Sequence, residues 1–137
     1  MLSPDAKRKA REHLKLGEGF MATVDVADAS TECEIRNAFS RAYYGLFHAC
    51  YALLLGHGTD PAVVERIAKD HGTLHARIRY PLGKPVEHYV REAYDRRRNS
   101  DYEPGWAVPS ATVAQRELKR AKQQFYWIYN STLRSLA

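Results

Sequence analysis

Five polar and aromatic residues recur at helical spacing in this 137-residue chain: Asn37, Arg41, Tyr44, His48 and Tyr51, separated by four, three, four and three positions. Side chains so spaced share one face of a helix. Together they offer an amide, a guanidinium, an imidazole and two phenols, a set able to hold a phosphate, transfer a proton and stack on a base. A second group lies downstream. Val86, Val90 and Ala93 define an inward helical face, the next position in that register is Arg97, and Asp101 follows four residues later with Tyr102 beside it. A guanidinium that continues an apolar stripe is costly to bury unpaired, so it must meet a carboxylate, a backbone oxygen or a phosphate. The plainer alternatives are an i,i+4 ion pair between Arg97 and Asp101, worth roughly a few tenths of a kcal/mol, and a solvated basic helix end for Arg96-Arg97-Arg98. For Tyr44 and His48 the plainer alternative is a hydrogen-bonded place in the bundle.

Other arrangements point away from metals and covalent nucleophiles. His71 and His75 stand four apart on a helical stretch, a spacing that suits zinc, but Gly72 occupies the glutamate place of H-E-x-x-H and no third ligand follows. Cys50 and His48 are two apart and so point in different directions on a helix. Gly83-Lys84-Pro85 lacks the upstream glycine and the Ser or Thr of a phosphate loop. Neither a metal nor a cofactor is expected.

The elements that position these residues are helices, with no convincing alternating strand. Ser3-Pro4 opens the first, whose stripe is Ala6, Ala10, Leu14, Gly17 and Met21. Thr31 and Glu34 form a capping-box pair at the start of the second, which runs to a loop at Gly56-His57-Gly58-Thr59. Its apolar positions, from Ile35 through Phe39, Leu46 and Leu53, are broad enough to make it the central helix. Asp60-Pro61 starts a third helix carrying Val63, Val64, Ile67, Leu74 and Ile78, with Gly72 expected to weaken or bend it. Pro81, Gly83 and Pro85 mark the next turn, a fourth helix runs from Pro85 to about Asn99, and a last helix begins at about Ser110 or Thr112. Cys33 and Cys50, in or beside the second helix, suit small buried apolar positions.

The length fits one domain with a real core, and the net charge of +5 is mild, compatible with a polyanionic partner. Lys7, Arg8, Lys9, Arg11 and Lys15 have no apolar run behind them, so no secretory signal is expected and the cytoplasm is the default. The most apolar run, Cys50 to Leu55, is far too short to cross a bilayer. We expect an all-α, four- to five-helix up-and-down bundle over residues 1–137.

The segment from Asn37 to Ala49, containing Ser40-Arg41-Ala42-Tyr43-Tyr44-Gly45-Leu46-Phe47-His48-Ala49, resembles the S-R-A-Y-Y-x-x-F-H-A signature of HEPN domains. Arg97-Arg98-Asn99-Ser100-Asp101-Tyr102 resembles the R-x-x-x-D-Y close of a later helix in one HEPN branch, and His71-Gly72 sits where that branch often has a short histidine-containing segment. The resemblance implies a dimerising helical bundle that binds RNA or nucleotides. It also implies that the chain acts as a metal-independent ribonuclease, or pairs with a minimal nucleotidyltransferase, in a toxin–antitoxin module. On this reading Arg97 carries the catalytic role with Asp101 and Tyr102 holding or assisting it, His48 substitutes for the absent histidine if the second and fourth helices face each other, and substrate contacts fall to Arg41, Tyr44, Asn37, Arg98 and Asn99. Arg98-Asn99 better imitates the arginine-plus-polar pair of the nuclease motif, while Arg97 fits the R-x-x-x-D-Y spacing. The chain departs from the usual R-x4-6-H motif, because no histidine follows His88. The alternative is a non-catalytic dimeric binding module that docks a partner.

Overall fold

The computed structural model describes residues 2–137. Among them all regular structure is helical: α1 Pro4–Ala22, α2 Glu32–Gly56, α3 Pro61–Ala68, α4 His71–Leu82, α5 Lys84–Tyr102 and α6 Ala111–Leu136. Helix starts follow local chemistry. Ser3 accepts from the Ala6 amide and Thr31 and Glu34 close a full capping box, while Asp60, Asp70 and Ser110 cap α3, α4 and α6.

Six helices replace the expected four to five. The stretch expected as one third helix is two, because Asp70 takes an extended backbone (φ −110°, ψ 102°) and turns its carboxylate to the Thr73 amide. That competing side-chain bond breaks the helix ahead of Gly72, which sits within the first turn of α4. Pro81 lies in the last turn of α4, not in the turn beyond it, and α5 extends to Tyr102. Gly56 is the final residue of α2, not part of the loop. Cys50 is buried as expected but Cys33 is exposed, one residue into the solvated first turn of α2.

α2 is the central helix, packed chiefly against α1, α6 and α5, and also against α3 and α4, the latter meeting it from Tyr43 onward. Its Tyr43, Leu46, Leu53 and Leu55 are fully buried with Leu74, Val90, Phe125 and Ile128 from the surrounding helices. Among the described residues, no helix is long and apolar enough to cross a membrane.

Two devices fix the elements around the polar groups. α1 and α2 touch backbone to side chain: a methyl added at Gly17 would lie 2.9 Å from the Gly45 carbonyl oxygen, and one at Gly45 would lie 2.9 Å from Met21 Cγ. At the other side of α2, Arg36 closes the C-terminus of α5. Its Nη1 donates to the carbonyls of Asn99, Ser100 and Glu103 at 3.0, 3.0 and 3.1 Å, and Nη2 to Pro104 at 3.3 Å. A cation at a helix C-terminus meets both the orphan carbonyls and the negative end of the dipole, so α5 is held against α2 one turn beyond Arg97.

Gly17→Ala is expected to lower stability by about 1–3 kcal/mol through overpacking. Gly19→Ala, where a new methyl meets nothing within 4 Å, should raise it by about 0.5–1 kcal/mol from helix propensity. Urea denaturation of the two variants checks the pair, and equal effects would contradict the close helix approach.

Candidate functional site

Arg97 points into the bundle and is 6% exposed. Its guanidinium carbon lies 5.5 and 5.6 Å from the ring centres of Tyr43 and Tyr44 on α2, and 5.1 and 5.8 Å from those of Tyr94 and Tyr102 on α5. Ring faces stabilise a cation electrostatically without accepting its N–H bonds in the way an oxygen does. Nε is buried with no hydrogen-bond partner. Nη1 stands 3.7 Å from Asp101 Oδ2, too far for a hydrogen bond, while that same carboxylate oxygen accepts from Ser40 Oγ at 3.2 Å. The result is a caged guanidinium with unused donor capacity.

Two histidines of α4 reach the same cage. The Tyr43 hydroxyl is 2.6 Å from His71 Nδ1 and 2.8 Å from His75 Nε2. One phenolic proton cannot serve both nitrogens, so one imidazole accepts from the hydroxyl and the other donates to it. His71 also stacks on Tyr94, with ring centres 5.0 Å apart and planes at 15°. Burial, then the nearby Arg97 charge, lowers the His71 pKa; burial, then His71 and Arg91, pulls His75 down to about 4. Burial pushes the Tyr43 phenol well above its ordinary range. His71 is half-buried, with Nδ1 held by Tyr43, which leaves Nε2 as the ring nitrogen free to meet a ligand. Sequence spacing offered His71 and His75 as a zinc pattern, and the HEPN resemblance reached His71-Gly72, but neither tied them to Arg97. The missed signal was a tyrosine at position 43, on the α2 face adjoining the Tyr44 stripe.

His48 lies elsewhere. Its Nδ1 is 3.1 Å from His13 Nδ1 on α1, and its ring stacks on Phe20 at 5.7 Å. His13 in turn stacks on Tyr51 at 3.8 Å. The α2 stripe containing His48 therefore faces α1, and only Tyr44 touches both sides, with Phe20 5.7 Å away and Arg97 beside it. Burial, then His13, pulls His48 down to about 4.

The remaining expected residues line open grooves. Asn37 and Arg41 are exposed along a cleft of about 180 Å³ that also holds Asp25, Asp28 and Glu34. Arg98, Asn99 and Tyr102 line a groove of about 360 Å³ with Asp95 and Glu103. Two carboxylates beside one arginine leave that groove without positive excess. Arg97 is not among the residues that line it; its guanidinium is buried beside Asp101 and Tyr102, which is 67% exposed. The structure thus brings Arg97, Asp101, Tyr102 and Tyr44 together and adds His71, while His48, Arg41 and Asn37 stand apart.

No protein-family model matches the chain, and no curated protein matches its sequence.

The neutral histidines give a pH dependence. The unfolded chain binds protons at His48 and His75 near pH 6.5, whereas the folded chain resists doing so until about 4. Stability is therefore complete above 6.5 and is lost as pH falls towards 4. His13 and His71, lowered in the same direction, add to the slope. The urea midpoint should drop between pH 6.5 and about 5, above the range where carboxylates titrate, and His48→Phe/His75→Gln should flatten that drop. A level profile in the parent chain would contradict neutral burial.

Proposed function

We propose that this chain is a HEPN-like RNA- or nucleotide-phosphate-binding protein acting as a metal-independent ribonuclease, with Arg97 and His71 as its working pair. The observation that carries the reading is a guanidinium turned into the bundle with a buried, unpartnered Nε, next to a histidine that is tied at one nitrogen and free at the other. A phosphate oxygen can take the guanidinium donors that no protein oxygen takes. In cleavage, Arg97 offsets charge on the scissile phosphate. His71 Nε2 takes the proton of the attacking 2′-hydroxyl as the O2′–P bond forms. The P–O5′ bond breaks, and the departing oxygen takes up a proton from the imidazolium or water. Tyr43 fixes the His71 ring. Asp101 and Tyr102 stand between Arg97 and solvent, so substrate entry displaces them. The histidine missing downstream of Arg97 in sequence is then supplied by α4. The resemblance to HEPN domains further implies a homodimer and a toxin–antitoxin setting.

One observation favours a second reading. Arg97 is 6% exposed within its four tyrosines, which suits a structural cation in a non-catalytic module that binds a nucleotide, or docks a nucleotidyltransferase, through other surfaces.

Incubation of the pure protein with labelled RNA in EDTA separates the two. Under the nuclease reading the parent chain cleaves, and a single 2′-deoxy substitution at the cut site blocks the cut. Arg97→Lys, which keeps the charge but loses the fork, and His71→Ala should each cut at least ~100-fold more slowly while melting as folded proteins. Parent-like cleavage by Arg97→Lys ends the nuclease reading. No cleavage together with a stable RNA or nucleotide complex supports the module.

A further inference from the structure

We propose that the outward face of α6 is a docking surface for single-stranded RNA, distinct from the Arg97 cage. It takes its partner class from the reading above and assigns that partner a second surface, one that does not require Arg97 to be reachable. The charge distribution argues for it. α6 carries five basic residues and one acidic residue, Glu117, so four of the chain's five net positive charges reside on this helix. The one acid is already engaged, with Glu117 Oε2 4.0 Å from Arg96 Nη1 and 3.9 Å from Arg120 Nη1. Arg116, Lys119 and Arg120 are exposed on a stripe that continues through Gln123, Trp127 and Asn130.

The second half of the stripe supplies what a phosphate chain alone does not need. Trp127 is 61% exposed. Its neighbour Tyr126 is held down, donating its hydroxyl to Glu18 Oε2 at 3.2 Å, so the indole stands free at the end of the basic run. At 1.5 Å of rise per residue, Arg116 and Trp127 are separated by roughly 16 Å along the axis, a span that a few nucleotides cover. Cationic side chains tracking a backbone, followed by an aromatic platform, are the two parts of single-strand recognition. The stacked base must be unpaired to lie on the indole, which selects single strands over duplex. The amides of Gln123 and Asn130, one turn to either side, can meet base edges. The same amides interrupt the apolar surface around Trp127 and Leu133, unlike the continuous apolar face a bilayer requires. The basic end also abuts α5, since the Arg120 guanidinium carbon lies 4.9 Å from the Tyr89 ring centre.

The test is fluorescence anisotropy with a labelled, unstructured 20-nucleotide RNA between about 50 and 200 mM salt. The full chain should bind, and its affinity should fall with salt. Arg116→Gln/Lys119→Gln should weaken binding and lower the log–log salt slope by about 1.4, from about 0.7 per phosphate for single strands. Trp127→Ala should weaken binding by about 5- to 150-fold and leave the salt slope in place, and duplex of the same sequence should be indifferent to that change. Parent-like binding by both α6 variants, with loss of binding in Arg97→Lys, overturns the α6 surface and leaves the Arg97 reading standing. Loss of binding in the α6 variants, with parent-like binding and no cleavage defect in Arg97→Lys, upholds the α6 surface and removes the Arg97 reading. Absence of RNA binding by the parent chain at 50 mM salt overturns the surface, as does binding to anionic vesicles or an acidic peptide in preference to RNA.

Discussion

A guanidinium brought into a helical bundle has to be stabilised by something, and around Arg97 that something is chiefly the faces of four phenol rings. Cation–π contact offsets part of the desolvation of the charge but leaves the N–H donors unused, which differs physically from a bidentate carboxylate pair. Asp101 is near enough to neutralise and too far to hydrogen-bond, its closer bond being to Ser40. The local structure follows from this arrangement. Tyr43 and Tyr44 must sit on the α5 side of α2, Tyr94 must lie one turn before Arg97, and α5 must stay in register with α2. Arg36 enforces that register by holding the last carbonyls of α5.

Charge in the cage then sets the state of its neighbours. With Arg97 permanently cationic, His71 and His75 are kept neutral by burial and by nearby positive charge. Neutral imidazoles can share the Tyr43 hydroxyl, and protonated ones could not accept from it. On the α1 side of α2 a second neutral pair, His13 and His48, arises by burial against Phe20 and Tyr51. The two clusters have the same chemistry and different surroundings: the α4 cluster has a fixed cation, Arg97, acting on His71, and burial and His13 alone act on His48.

Much of the architecture was legible from spacing alone. The caps at Ser3 and Thr31, the broad apolar surface of α2 and the inward register of Arg97 are all properties of short windows, and the structure carries each of them. The break at Asp70 was less legible, because an aspartate can either sit within a helix or cap the next one, and the choice depends on where α3 and α4 must pack against α2. Stripe arguments also placed Tyr44 and His48 on one face correctly, yet could not say which neighbour that face would meet.

By itself, the sequence determined the helical class, the starts of α1 and α2, the central place of α2 and the inward direction of Arg97, since periodicity and capping act over a few residues. Tertiary structure alone decided that His71 and His75, 26 and 22 residues before Arg97 in the chain, close on Tyr43 beside it, and that His48 turns to His13. The physical reason is that residues on one helix face are related by local geometry, whereas residues on different helices meet only through packing angles set by the whole core, including the glycine contact of α1 with α2 and the Arg36 clasp on α5.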